Sequence, residues 1–497
     1  MARTNNLNNF LTDVADAIRT KTGGTEKIQA SQFDTEIEKL GGAKINGVVE
    51  SYYAYAGENI SAGDFVQFIN GAASIETGVS LDTQLSTVEQ TGYHLSAVEL
   101  PNNKVFIAHS YGSDCYLYGM IVTVNVGEIV VNTDTQLSSV VNTGKSMSVE
   151  RLSNGNIFIA HCYGSSANLY GMICSIDGTA ITVLMDTEIY GATGSDEYDR
   201  QLSTVLLEDN RVFIAYSSTG YQLKAIVCRI NENNSISVGT ATSSEDTTYT
   251  GIGISAVLLP NGNVFVAHSY GSSYYLYGTI YSVSGTTITK EKSKAINSSN
   301  SNTGRGVSAV LLEDGKVFIA HGYSSSRYLY GIVVTIDGTT MTPGTDTKIS
   351  GETRAGHIIS TVRLSNNKIF IVHSYNKDSY YLYGVICTIA GTAITVGTDT
   401  ALDNITTNAG EFIDTVLLPN GNVFVAHSSG ETLNLKAQMW GIDEDNNTPT
   451  NTITAIAYET QVKKATNTPF DGVAKTSGSG GTEDLHNEQV EIYTLQE

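Results

Sequence analysis

One residue returns at a nearly fixed interval through most of this chain: Phe106, Phe158, Phe213, Phe265, Phe318, Phe370 and Phe424, at steps of 52, 55, 52, 53, 52 and 54 residues. Each sits inside a copy of the same phrase. Five copies are close: VFIAHSYGSDCYLYG (105–119), IFIAHCYGSSANLYG (157–171), VFVAHSYGSSYYLYG (264–278), VFIAHGYSSSRYLYG (317–331) and IFIVHSYNKDSYYLYG (369–384). Two are looser, VFIAYSSTGYQLKA (212–225) and VFVAHSSGETLNLKA (423–437). A period of this size marks stacked or radially arranged units, none of which buries its apolar faces alone. A length of 497 residues would ordinarily imply several domains, yet the repeat gathers residues 71–462 into one body.

The unit at 254–292 reads as four strand-like runs, ISAVLL, VFVAHSY, YYLYGTIYSV and TITKEK, separated by turn signals. Asn-Gly in PNGN and the glycine of SGT supply the positive φ that tight hairpins demand. Each unit is therefore a four-stranded antiparallel meander, with strands a to d. Four short strands leave both faces of a sheet to be covered, and packing sheet on sheet around an axis covers them. The expected fold is all-β, a seven-bladed β-propeller; a linear solenoid has shorter coils and parallel strands. Two segments compete to complete the last blade. SLDTQLS (80–86) matches NTDTQLS (132–138), placing Asp82 one period before Asp134, while TITAIAYETQV (452–462) follows what reads as an insertion, DEDNNTPTN.

Alternating strand direction puts the tight a–b and c–d turns on one side and the b–c turns and d–a crossovers on the other. Crossovers such as YGATGSDEYDRQ (190–201), TSSEDTTYTGIG (242–253) and NSSNSNTGRG (297–306) are long and divergent, so the adaptable loops share one face. Tyrosine gives large amphipathic contact area at low entropic cost, and Ser and Gly give adaptable hydrogen bonding. Residues repeated in every blade belong to its packing, as with Tyr118, Tyr170, Tyr277, Tyr330 and Tyr383 and with Tyr111, Tyr163, Tyr270, Tyr323 and Tyr375. The candidate ligand-binding residues are those that differ between blades: Asp114, Tyr116, Asn168, Tyr274, Tyr275, Arg327, Tyr328, Lys377, Asp378 and Tyr380.

His109, His161, His268, His321, His373 and His427 form one column, with Tyr216 in the third unit, and are expected to be hydrogen-bonded scaffold residues. Five cysteines have no clustered or metal-type spacing. Cys174, Cys228 and Cys387 share a slot that also holds Val122, Tyr281, Val334 and Trp440, which makes it a packing slot. The inner strands offer Glu99, Glu150, Arg151 and Arg363, scattered over blades one, two and six without a convergent pair. With no phosphate loop, H-E-x-x-H or nucleophile elbow, the expectation is a protein that is not an enzyme, with no catalytic residue, metal or cofactor.

Lys+Arg 28 against Asp+Glu 50 gives a net charge of −22, which disfavours nucleic acid and anionic membranes as partners. No run approaches the roughly 18 apolar residues of a membrane span, and MARTNNLNNFLTDV lacks the pattern of a secretory signal. Ahead of the repeats, Leu7, Phe10, Leu11, Val14 and Ile18 form one helical stripe, and SQFDTEIEKL (31–40) predicts a second short helix.

NNFLTDVADAIRTKTGGTEKIQASQFDTEIEKL resembles a helical module near the start of tail and baseplate-associated proteins of phages and prophages of Gram-positive bacteria. AGENISAGDFVQF (56–68) together with VKKATNTPFDGVAKTSGSGG and EQVEIYTL is similar to small β-barrel modules of phage structural proteins, here split by the propeller. The resemblance implies a helical attachment module at 1–42, barrel strands at 43–70 and 463–497, and a virion tail location after cytoplasmic assembly. It further implies a receptor-binding adhesin whose partners are other tail or baseplate proteins and a host-surface glycan or protein. A homotrimer is the oligomer common among fibre-type tail proteins. A purely structural decoration protein and a glycan-degrading tail enzyme are the alternatives.

Overall fold

A computed structural model of the chain describes residues 51–56, 65–70, 75–125, 128–165, 168–191, 202–244, 248–375, 379–403, 406–443, 447–456, 460–464, 472–474 and 489–494. The two helices expected within 1–42 lie outside the described residues, as do residues 43–50. No described residue is helical, so no helix among the described residues is long and apolar enough to cross a membrane. Residues Gly78–Ile453 form one compact unit.

That unit is a seven-bladed propeller of four-stranded antiparallel blades. In blade 1 strands a to d are Leu95–Leu100, Lys104–Tyr111, Tyr116–Asn125 and Glu128–Ser138. In blade 4 they are Ile254–Leu258, Val264–Tyr270, Tyr275–Ser284 and Thr287–Asn297, paired in sequence order. Each strand a lies beside strand a of the next blade, and that of blade 7 lies beside that of blade 1. Period-2 alternation sorts strand b onto two faces. The Phe and Ala positions of one blade pack on the Val and Ile positions of its neighbour: Phe106 and Ala108 meet Ile157 and Ile159, and Phe424 and Ala426 meet Val105 and Ile107. Seven such cores, one per neighbouring pair, close the ring.

The recurring Gly of LYG follows from this packing. A Cβ on Gly278 would stand 2.5 and 2.8 Å from the Phe265 ring, so strand c yields its side chain to the phenylalanine. In blades 3 and 7 the slot holds Ala225 and Ala437. Gly278→Val is expected to cost about 1–3 kcal/mol by overpacking, read from the denaturation midpoint.

A polar seam joins the inner strands. Backbone N–H groups of Thr204, Ala256 and Ala309 donate to Ser148, Ser203 and Ser255 Oγ of the preceding blade at 3.1, 3.0 and 3.0 Å. Blade 7 has Asp414 at this position, and its Oδ2 accepts from Ala97 N at 2.9 Å across the closure.

One of the competing segments takes part in that closure, together with residues just ahead of the other. The fourth strand of blade 7 consists of Thr448–Thr450, opposite Gly441–Asp443, and of Thr83–Gln84, opposite Lys436 and Ala437. In blades 1, 2 and 4 strand d has a register shift midway. In blades 3, 5 and 6 it breaks in two near the same place. In blade 7 that break has become a gap in the chain, bridged by Ser80 N donating to Asn451 O at 2.8 Å. Two expectations are corrected here. DEDNNTPTN is no insertion, since Thr448–Thr450 is blade strand. TITAIAYETQV supplies no blade strand: Thr452–Ile456 pairs with Ile75–Val79, and Thr460–Lys464 joins another sheet, so the body ends before residue 462.

In the other unit, Ser51–Ala56, Thr460–Lys464, Phe65–Asn70, Gly472–Ala474 and Gln489–Thr494 hydrogen-bond in that order, and the last returns to the first.

Candidate recognition face

The b–c turns and the d–a crossovers meet at one end of the ring, and the backbone fastens them together. In blade 4, Asn302 N donates to Ser273 O and Gly304 N to Tyr274 O, both at 2.8 Å. Blade 5 repeats the clasp through Arg354 N to Ser326 O and Gly356 N to Arg327 O, and blade 6 through Asn408 N to Ser379 O and Gly410 N to Tyr380 O. Blades 1, 3 and 7 do likewise. The glycine of each crossover is required by proximity, since a Cβ on Gly304 would stand 2.6 Å from Tyr275 O.

Each clasp holds one residue on either strand in the left-handed region. On the turns these are Cys115, Tyr221, Tyr274, Arg327, Tyr380 and Leu433; on the crossovers they are Gln90, Asn142, Tyr249, Asn302, Arg354 and Asn408, with φ from 43° to 65°. Gly and Asn tolerate this region best, and other side chains there are held against a local cost. Blades 3 to 6 nevertheless place Tyr or Arg at these points. Their side chains form two groups. Tyr221 stacks on Tyr249 (5.7 Å, 13°), Tyr249 meets Tyr274 edge-on at 5.7 Å, and the Arg305 guanidinium lies 4.8 Å from the Tyr274 ring centre. Further round, Arg354 lies over Tyr380 at 5.5 Å and donates to its hydroxyl, with His357 at 6.1 Å from the same ring. Tyr93, His94 and Phe412 make a third cluster where blade 7 meets blade 1. Burial and the Lys145 charge push His94 down to about 3.

The expected site residues distribute over this face without converging on one point. Tyr274, Arg327 and Tyr380 occupy the left-handed turn position. Tyr116, Asn168, Tyr275 and Tyr328 open strand c of their blades. Tyr116 donates to Asp114 at 3.2 Å, a bond that raises its phenol; Asn168 donates to Glu188 at 3.4 Å; and Lys348 lies 5.3 Å from the Tyr328 ring centre. Lys377 and Asp378 lie outside the described residues. Tyr221, Tyr249, Arg305, Arg354 and His357 were missed. The recurring Thr-Gly or Ala-Gly of the crossovers marks the last four, because the residues just before and after that pair change from blade to blade.

The histidine column is scaffold. Five imidazoles, fully buried, place Nδ1 2.6–3.2 Å from the next residue's carbonyl and Nε2 2.9–3.0 Å from a carboxylate within strand d, Asp134 or Asp186, or just ahead of its second piece, Asp346, Asp399 or Asp82. The substitutions are matched. Where Tyr216 replaces His, the aspartate position holds Ala241; His268 bonds instead to Thr279, which bonds Ser293. The repeated tyrosines stack pairwise within each blade, Tyr111 on Tyr118 and Tyr270 on Tyr277 at 4.0 Å. Cys174, Cys228 and Cys387 are buried, and burial pushes each thiol up to about 12.

On the opposite face a cleft of about 320 Å³ is lined by Glu99, Leu364, Leu417, Leu418, Pro419 and Ile442 among others. The inner-strand charges are less scattered than their sequence positions imply. Arg151 reaches Glu99 at 3.5 Å across blades 1 and 2. Burial raises the Glu99 carboxyl, an effect Arg151 moderates. Burial likewise pushes Glu150 up to about 7, although Thr204 donates to it at 3.1 Å. No group of His, Cys, Asp and Glu among the described residues could hold a metal ion.

No family model matches the chain, and no curated protein matches it. Among solved structures, a protein from Lactobacillus plantarum superimposes with a TM-score of 0.51 at 14% identity, over 73% of this chain and 98% of that one. An ulvan lyase of a new polysaccharide lyase family is similar with a TM-score of 0.48 at 10% identity, over 77% and 98%. The SapL1 lectin, solved with α-methyl fucoside, is similar with a TM-score of 0.41 at 11% identity, over 64% and 99%. At these identities the likeness speaks to fold alone. It does correct one expectation: enzymes occur among the similar structures, so the missing motifs do not exclude catalysis.

Proposed function

We propose that the propeller binds a surface carbohydrate through the crossover face of blades 3 to 6. The observation that carries this is the set of tyrosines and arginines held in left-handed conformation at the clasps. Strain kept at bulky, half-exposed side chains, where Gly or Asn would relieve it, points to a use for the side chains themselves. Tyrosine rings offer apolar faces to sugar C–H groups, and their hydroxyls, with the arginines, offer hydrogen bonds. Combined with the helical and barrel resemblances of its two ends, this makes the chain a phage tail adhesin: residues 1–42 attach it to the virion, the small split barrel follows, and the propeller meets the host. The test is binding of the purified full chain to host cells and to cell-wall glycan fractions. Tyr249→Ala with Tyr274→Ala is expected to weaken binding at least about tenfold at unchanged thermal stability. Absence of binding to every fraction would instead support a decoration role.

A second reading, cleavage of a glycan at the opposite end of the ring, draws on Glu150, an inner-strand carboxyl that burial pushes up to about 7 beside the a–b turn of blade 2. Release of reducing ends, lost in Glu150→Gln, would establish it.

A further inference from the structure

Three successive crossovers close on one another at the mouth of the central channel. They end in Ile252–Gly253, Arg305–Gly306 and His357–Ile358, leading into blades 4, 5 and 6. Gly253 makes the contact possible: its φ is +69°, and a Cβ there would stand 2.2 Å from Arg305 O. At Gly306 a Cβ would stand 2.3 Å from Gly356 O. Beside these close approaches lies a cavity of about 20 Å³, lined by the two glycines, Arg305, His357, Val307 and Ile359 among others. A space of that size admits one water-sized group.

Two of the lining residues, Arg305 and His357, carry polar side chains. His357 is 7% exposed, and its Nδ1 has no hydrogen-bond partner. Arg305 is fixed over the Tyr274 ring. Leaving a buried ring nitrogen unmatched is costly, and a ligand oxygen in the cavity would match it. Charge adds a direction. In a chain of net charge −22, this part of the face gathers Arg305, Arg327 and Arg354, against Glu352 and Glu411 on the crossovers into blades 6 and 7. We infer that this mouth is the seat for an anionic group carried on a sugar, a carboxylate or a phosphate, with one oxygen entering the cavity between Arg305 and His357. The inference rests on the carbohydrate-binding reading and narrows it to acidic glycans. Tyr274 and Tyr380, on either side, are the platforms for the sugar that bears the charge.

The experiment titrates the full chain with oligogalacturonate, with its methyl ester and with poly(glycerol phosphate). The expected result is that at least one anionic polymer binds about tenfold or more tighter than the neutral ester. Arg305→Gln is expected to abolish that preference, Arg305→Lys to keep part of it, and His357→Gln to reduce it, all at unchanged thermal midpoint. Tyr274→Ala should weaken acid and ester alike. Preference for oligogalacturonate identifies the group as carboxylate, and preference for the glycerol polymer identifies it as phosphate. Equal binding of acid and ester, or a preference that survives Arg305→Gln, overturns the anionic seat while leaving carbohydrate binding in place. No binding to any of the three, nor to host glycan fractions, removes both.

Discussion

Phe265→Ala is expected to lower the stability of the propeller by about 4 kcal/mol, the largest effect of any single substitution considered for this chain. The ring is wholly buried between blades 4 and 5, among Leu276, Ile280, Val307, Val317 and Ile319. Truncation therefore forfeits both the transfer of an aromatic ring out of water and the contacts around the hole it leaves. The site also carries an internal control. Because the ring edge stands where a Cβ of Gly278 would be, Gly278→Val clashes in the wild type and fills space in the truncated protein. The double variant should lose less than the sum of the two single losses, a coupling readable from urea midpoints at constant slope. Simple additivity would show that ring and glycine are independent and that the packing account is wrong.

Asp82→Ala comes second, at about 2–3 kcal/mol. Asp82 accepts from the buried His427 at 3.0 Å and from Lys436 at 2.6 Å, and removing it strands the imidazole. The side chain is 24% exposed, which keeps the figure below that of a fully buried pair. Asp134→Ala breaks the corresponding pair inside blade 1, where strand d runs unbroken for eleven residues, and should cost less. In blade 7 the pair holds a two-residue strand from the other end of the repeats, so its loss should also speed amide exchange around residues 80–86. The sign of the pH dependence follows from the folded state. Burial acts to raise the Asp82 carboxyl, but the hydrogen bonds and charges of His427 and Lys436 outweigh it and lower it from 3.8 to about 2. This group favours the native state fully above about pH 4, and that contribution disappears as pH falls from about 4 to 2. Its size is about 2 kcal/mol. The wild type should lose that amount more than Asp82→Ala over this interval, in denaturation midpoints measured at each pH.

Much of the propeller is written in the repeat itself. Phe at each period, Asn-Gly and Gly at the turns and His in strand b specify strand number, blade number and the face on which loops gather. What escaped was side-chain pairing between strands of the same blade. Asp134 and its counterparts stand about 25 residues after their histidines, and the link shows only when blades are compared: Ala241 follows Tyr216, and Ser293 follows His268. The composite strand of blade 7 was hidden because Thr448–Thr450 lies in a stretch with the composition of a loop; tertiary partners, not local propensity, make it a strand. The candidate face was half legible. Tyrosines in the b–c turns could be found by aligning copies, while the crossover residues Tyr249, Arg305 and His357 needed the clasp, a contact between loops of different strands.

The stitched outer strand of blade 7 also sets a timetable for biosynthesis. Asp82 leaves the ribosome 345 residues ahead of His427. At about 5–20 residues per second, that is an interval of roughly 17–70 s. Throughout it, the nascent Thr83–Gln84 segment has no cognate edge, and blade 1 has no neighbour on its Val105 and Ile107 side. Premature release would leave an unfinished horseshoe with two open sheet faces, a form prone to join a second truncated chain. Translation to the last blade is thus the step that commits the polypeptide to a closed ring.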